Sequence, residues 1–300
     1  MKLLIIGASS FIGSNMFECA IKSGYNVIGT CYSNCRREFI KYNILENRIV
    51  EVLDKSFNTN NRDNAYAIIC SGIGKIDDCF KYKEISYKIN VEKMMQLIDD
   101  LTYLGYKVVF LSSEAVFDGQ RGYYNELSPV SPINEYGRQK VQIENYILDR
   151  YSQHLVFRLG VVVGDYHPQR HLLSVWYKSV LDNTPIRCIE GQIFSPTYVQ
   201  DISDAILLAL DKNLSGLYHL ANQEFFQRDE LARQFLYAMN RQVDIIVEPM
   251  NKFGFVEKRS LKTYLDSSKF TRETNFNYTS MREVFEIFLK NQNWPLNNSD

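Results

Sequence analysis

The chain lacks an excess of charge of either sign: 34 Lys and Arg stand against 35 Asp and Glu in 300 residues, a formal net charge of −1. That balance offers no basic field for nucleic acid or an acidic membrane surface, yet it leaves room for the local positive charge that a small phosphorylated ligand needs. Long apolar runs are missing too. None reaches the length that spans a bilayer, and the amino-terminal run, residues 2–6, is shorter than the core of a signal peptide. A cytoplasmic protein is expected, with no membrane or nucleic-acid partner. The six cysteines, at 19, 31, 35, 70, 79 and 188, show no CxxC pairing and read as small apolar residues, although Cys31 and Cys35 are near enough to raise a redox alternative. His167 and His171 have no third ligand nearby, and Pro168 between them indicates a substrate-side loop; no metal is expected. Repeats and low-complexity segments are absent, and the end, Pro295 to Asp300, reads as frayed.

What is present is an alternation of apolar strand-like runs with helical patterns. Residues 2–6 are followed by runs at 27–30, 67–70, 108–111 and 155–158, with helical periodicity over 84–104 and 136–150. Such alternation implies right-handed crossovers and an α/β fold with a doubly wound parallel sheet. The chain is long enough for a large core. The regular pattern fades after Gly164. Residues 1–164 are therefore assigned to a dinucleotide-binding domain, to which 194–212, with a helix over 201–211, returns. Residues 165–193, with a helix near 171–182, and 213–300 are assigned to a smaller mixed substrate lobe.

Between the first strand and the first helical pattern lies Gly7-Ala-Ser-Ser-Phe-Ile-Gly13. Strand, glycine turn and helix in this order present free helix amides to a pyrophosphate. Gly7 permits the tight turn, Gly13 allows close packing, and Ser9, Ser10, Phe11 and Ile12 line the approach; Ser10 stands where a middle glycine is expected. Ser112 and Ser113 follow the run at 108–111, at a strand end that opens onto a ligand crevice. Tyr136 and Lys140, four residues apart, share one helical face. A phenol titrating near ~10 is a poor acid or base at neutral pH, and a neighbouring ammonium favours its ionised form.

Further blocks accompany these: Asn90-Val91, Ser112-Ser113-Glu-Ala-Val-Phe-Asp-Gly119, Tyr124-Asn-Glu126, Tyr136-Gly-Arg-Gln-Lys140, Phe157-Arg158, Ser195-Pro-Thr-Tyr-Val-Gln-Asp201 and Arg259-Ser-Leu-Lys-Thr-Tyr-Leu-Asp266. In this order they resemble the extended short-chain dehydrogenase/reductase superfamily and, within it, the dTDP-4-dehydrorhamnose reductase family, over almost the whole chain. The resemblance implies a Rossmann sheet and NADPH-dependent reduction of a keto group on a nucleotide-linked sugar, in deoxysugar or surface-polysaccharide biosynthesis. It implies that Ser113 holds the ketone oxygen, that Tyr136 donates the proton, and that Lys140 tunes Tyr136 and holds the nicotinamide ribose. Ser112 is read as a strand-end or backbone-bonding hydroxyl, and Glu114 as a substrate contact or a solvated or supporting carboxylate.

The second strand ends without a carboxylate and is followed by Cys35-Arg36-Arg37, which favours NADP, with NAD as the other option. Ser33, Arg36, Arg37 and Asn43 are assigned to the adenosine half of the cofactor, and Ser71 and Gly72 to its second half. In rhamnose-forming reductases a tyrosine follows the Ser/Thr–acid pair, and a tryptophan follows the strand-ending arginine by three positions. Here stand Ala115 and Val161, so a bulkier or differently substituted keto sugar is expected. Ala115 also departs from the glutamate of a 4,6-dehydratase, whereas an epimerase keeps the Ser–Tyr–Lys set. Arg170, Lys178 and Arg187 are candidates for the substrate diphosphate, Pro196-Thr197 for a turn beside the substrate, and Asp201 for capping the next helix. The methionine adenosyltransferase regulatory subunit looks like the same family, so a non-catalytic NADP-binding subunit is the alternative. Homodimers are common in the superfamily, and the resemblance allows one.

Overall fold

The computed structural model describes residues 1–33, 35–53, 65–165 and 171–294. In chain order the strands are β1 Lys2–Ile6, β2 Asn26–Cys31, β3 Ile40–Lys41, β4 Ala65–Ile69, β5 Lys107–Ser113, β6 Leu155–Leu159, β7 Val161–Val163, β8 Ile186–Ile189, β9 Ile193–Phe194, β10 Pro196–Tyr198, β11 Gly216–Leu220, β12 Phe226–Gln227 and β13 Ile245–Glu248. The helices are α1 Phe11–Lys22, α2 Ile49–Val52, α3 Ile76–Lys81, α4 Lys83–Tyr87, α5 Lys93–Tyr103, α6 Glu135–Arg150, α7 Leu172–Leu181, α8 Val199–Asp211, α9 Arg228–Ala238, α10 Ser268–Thr274 and α11 Met281–Asn291. A π-helical turn, Lys88–Glu92, joins α4 to α5, and a 3-10 turn, Glu114–Val116, follows β5.

Among the described residues, seven parallel strands form the central sheet in the order β11-β6-β5-β4-β1-β2-β3. The strand order reverses between β1 and β4, and it is at such a switch that a crevice opens beyond the carboxyl ends. Every residue of β4 and β6 is buried, as in a parallel sheet covered on both faces, with Arg158 the one charge in either strand. On β1 the period of two divides the side chains between two layers. Leu3 and Ile5 meet Met16 and Phe17 of α1 and Ile202 and Ile206 of α8, whereas Leu4 and Ile6 meet Leu97 and Ile98 of α5 and Ile143 of α6. Full burial of each such aliphatic side chain contributes about 1.5–3 kcal/mol. The second lobe has its own core, in which α7, α9 and α11 close around Trp176, Phe235, Phe285 and Phe288. No helix among the described residues is long and apolar enough to cross a membrane.

Three assignments from sequence change. Gly216–Leu220, placed in the second lobe by the sequence pattern, is instead the outer strand β11 of the central sheet, in parallel register with β6. Pro196-Thr197 is not a turn: β10 pairs in parallel with β7, Pro196 opposite Val161. Asp201 does not cap α8, whose N-cap is Tyr198. Its carboxylate accepts from the backbone N–H and hydroxyl of Thr279 at 2.8 and 2.7 Å, which ties α8 to the link between α10 and α11.

Candidate active site

Ser113 ends β5 and caps the 3-10 turn, accepting from the Ala115 N–H at 3.2 Å and donating to the Glu114 carboxylate at 3.0 Å. Helix α6 starts on Asn134, whose side chain accepts from the Gly137 N–H at 2.8 Å. A Cβ on Gly137 would lie 2.1 Å from the Ala115 carbonyl oxygen, so only glycine lets the helix seat against the turn. That seat brings Tyr136 beside Ser113, whose hydroxyl favours the ionised phenol. One turn on, the Lys140 ammonium donates to the Leu111 carbonyl at 2.7 Å and lies 5.6 Å from the centre of the Tyr136 ring.

Burial dominates the electrostatics. It pushes Lys140 down to about 8, with Glu144 opposing the fall. It raises Tyr136 above the ordinary phenol range; the Glu114 charge adds to the rise and the Ser113 hydrogen bond counters it. Desolvation, not the Lys140 charge, thus sets the state of the phenol. Burial also pushes Glu114 up to about 7 against its hydrogen bonds to its own backbone and to Ser113.

Two cavities of about 430 and 420 Å³ run along the carboxyl ends of the strands and share Ser10 and residues 70–73. Gly7, Ser9, Ser33 and Asn43 wall the first; Phe11, Ile12, Ser112, Tyr136 and Lys140 wall the second; Ser71 and Gly72 border both. Ser10, in the place of the expected glycine, is the N-cap of α1 and accepts from the Gly13 N–H at 3.1 Å. A Cβ on Gly13 would stand 2.2 Å from the Gly7 carbonyl oxygen, so turn and helix meet backbone to backbone. A larger cavity, of about 810 Å³, lies against α9 in the second lobe, by Arg233, Tyr237 and Arg241, and shares no residue with this groove.

Several assigned residues stand elsewhere than expected. Neither Arg36 nor Arg37 walls the first cavity; Arg36 is ion-paired to Glu18 of α1 and lies over the Phe39 ring. Cys31 and Cys35 are not apolar fillers but form a disulfide just before Arg36, with Cys31 buried in the wall of the first cavity. The other four cysteines are free. Arg187 is held by Glu248 at 2.7 Å and by the Lys252 carbonyl at 2.8 Å. Lys178 pairs with Asp182 at 2.9 Å on an exposed helix face. Arg170 lies outside the described residues. Ala115 is buried, and Val161, opposite Pro196, packs against the second core just beyond the carboxyl end of β6.

Two supporting groups carry no role in the sequence reading. Asn90, on the π-helical turn, accepts from the Ile73 N–H at 2.8 Å and donates to the Ile73 carbonyl at 2.9 Å and to Gln139 of α6 at 2.8 Å. It clasps the loop bordering both cavities to α6, and irregular helical turns recur at such places. Ser112 donates to Glu144 rather than to backbone. Arg158 holds the same carboxylate at 3.0 and 2.7 Å, and all three groups are buried. The i, i+4 spacing of Lys140 and Glu144 is the one trace of this arrangement in the sequence.

Among the described residues no group of three His, Cys, Asp or Glu is placed to hold a metal ion. Among known proteins, the chain is 24% identical over 301 residues to methionine adenosyltransferase 2 subunit beta of Xenopus tropicalis, covering 98% of this chain and 87% of that protein. It is 26% identical to the probable low-salt glycan biosynthesis reductase Agl14 of Haloferax volcanii, covering 74% and 75%. The crystal structure of dTDP-4-dehydrorhamnose reductase from Bacillus anthracis in complex with NADP has the same fold, with a TM-score of 0.82 at 22% identity over 96% of this chain and 98% of that one. The family described as RmlD substrate binding domain matches residues 1–293, from β1 through α11. A match through both lobes places the chain in that family of extended short-chain dehydrogenase/reductases.

Proposed function

We propose that the protein reduces a keto group on a nucleotide-linked sugar with NADPH, or with NADH in its place, in deoxysugar or surface-polysaccharide biosynthesis. The observation that carries this reading is the convergence of Ser113, Glu114, Tyr136 and Lys140 at the end of β5, where the second cavity opens. The groove fits a dinucleotide: two cavities joined at residues 70–73 run from the capped amino end of α1 to Lys140. Gly7, Ser9 and Ser10 would hold the pyrophosphate, Ser33 and Asn43 the adenosine, and Gly72 and Lys140 the nicotinamide half. With Arg36 engaged by Glu18, Arg37 is the arginine left for a ribose phosphate. A nicotinamide bound there supplies the hydride.

The chain's own residues manage the oxygen. Ser113, fixed by the Ala115 N–H and the Glu114 carboxylate, orients the carbonyl. Tyr136, kept protonated by burial, donates its proton as negative charge develops on that oxygen. Lys140, anchored on the Leu111 carbonyl, faces the phenol with positive charge and stabilises the phenolate that proton transfer leaves.

NADPH oxidation measured with a panel of dTDP- and UDP-linked 4-keto sugars tests the reading. Turnover is expected, and Tyr136→Phe should lower it by roughly 10²–10⁴-fold while NADPH still binds. The match to a methionine adenosyltransferase subunit over 98% of the chain favours a second reading, a cofactor-binding subunit without reductase activity. Tight NADP binding with no turnover of any sugar in the panel would establish that one instead. Equal affinities for NADPH and NADH would remove the preference for the phosphorylated cofactor.

A further inference from the structure

Arg187, Arg233 and Arg259 in the second half of the chain each hold a carboxylate. Arg228 does not. No acidic group stands within ion-pair distance of it among the described residues, and its neighbour in sequence, Asp229, is engaged by Arg233 at 2.7 Å. The guanidinium lies over the Trp176 ring, 6.0 Å from its centre, and donates one hydrogen bond, to Gln192 at 2.9 Å. Its Nε is buried without a partner. A guanidinium carries five donors in a rigid fork, and withdrawing it from water without an anion is costly. Burial pushes its pKa down, as expected for a cation that lacks a counter-charge.

Its place in the fold indicates what the anion is. Gln192 leads into β9, and the same extended segment continues through Ser195 to Pro196, opposite Val161. The Ser195 carbonyl abuts Gly160 at the end of β6, one residue beyond Leu159, which walls the second cavity. Ser195 Oγ is also buried without a partner. One end of the segment thus adjoins the reduction centre and the other holds Arg228. Three extended residues separate them by about 10 Å, the order of the distance from a hexose carbonyl to the phosphates on its anomeric carbon. Arg228 is moreover the first residue of α9, an eleven-residue helix whose amino end adds positive potential.

We propose that Arg228, positioned by Gln192 and Trp176, binds the diphosphate of the nucleotide-linked substrate. This rests on the reductase reading for the identity of the sugar, but its test does not need turnover. UDP and dTDP are titrated into the full-length protein by calorimetry, with NADPH affinity as the control for folding. Arg228→Gln should weaken nucleoside diphosphate binding by roughly 10–100-fold, as loss of a charge-assisted bidentate contact does. Arg228→Lys, which keeps the charge and loses the fork, should weaken it less, and Gln192→Leu provides a variant that leaves the arginine in place but unpositioned. Unchanged affinity in Arg228→Gln with normal NADPH binding, or no binding of either nucleotide by the unaltered protein, overturns the assignment. Loss of nucleotide binding in Arg228→Gln by a protein that reduces no keto sugar leaves this site standing and removes the reductase reading. Turnover by the unaltered protein with an unchanged KM in Arg228→Gln does the reverse.

Discussion

Glu114 places a carboxyl that titrates near neutrality beside Ser113 and Tyr136. Burial lifts it to about 7, and its charge in turn raises Tyr136. Below that pH the carboxyl holds a proton and its hold on the phenol relaxes; above it the phenol is kept protonated more firmly. The kcat/KM profile should therefore show an inflection near 7 that Glu114→Gln removes, measured as NADPH oxidation across pH; an inflection that persists belongs to another group. That Ser113, Tyr136 and Lys140 come together was legible in the sequence because spacing along one helix and one strand end carries it. Partners across the fold were not. Arg187 finds Glu248, 61 residues away, and Arg36 finds Glu18 on a preceding helix. No local pattern records which carboxylate a long cationic side chain will meet, and Arg228 stands in no motif at all.

Helix α6 is a lever whose fulcrum is Gly137. Because the added Cβ would meet the Ala115 backbone at 2.1 Å and the rigid Pro132 ring at 2.9 Å, Gly137→Ala has no flexible side chain to displace. It should cost about 1–3 kcal/mol in urea unfolding and lower kcat more than it raises the KM for NADPH, since Tyr136 moves and the first cavity does not. The clasp at Asn90 works from the other side. Asn90→Ala leaves the Ile73 N–H and the Gln139 side-chain oxygen without a partner, a loss of about 1–3 kcal/mol, and should weaken NADPH binding although Asn90 lies behind the loop that it fastens. The main strands and helices were readable because buried parallel strands are unbroken apolar runs and their helices keep a 3.6-residue period. The pairing of β7 with β10, and the docking of β11 beside β6, depend on where a distant crossover returns, and the π-helical turn breaks the very period used to find helices.

Over the whole molecule, two buried histidines bear on acid stability. Burial holds His154 down at about 4 and His219 at about 3, against 6.5 for a free imidazole. As pH falls below 6.5 the unfolded chain takes up protons that the folded one refuses, so their contribution to stability is lost between 6.5 and those values. Glu114 acts in the opposite sense, binding its proton in the folded state between 4.5 and about 7. Comparing variants separates the two: between about pH 7 and about pH 5, His154→Gln should gain stability relative to the parent protein in urea unfolding. A difference independent of pH would mean that His154 does not titrate on unfolding. The disulfide has a different reach. Cys35 is exposed while Cys31 forms part of the first cavity's wall. A soluble dithiol that attacks there leaves two thiols in the protein, itself becomes a disulfide, and opens the small ring that holds the chain before Arg36. NADPH affinity should fall on such reduction and match that of Cys35→Ser, as calorimetry before and after treatment would show. The bond thus reaches past its own five-residue ring: through Cys31, a change of thiol state at an exposed cysteine becomes a change in the wall of the first cavity.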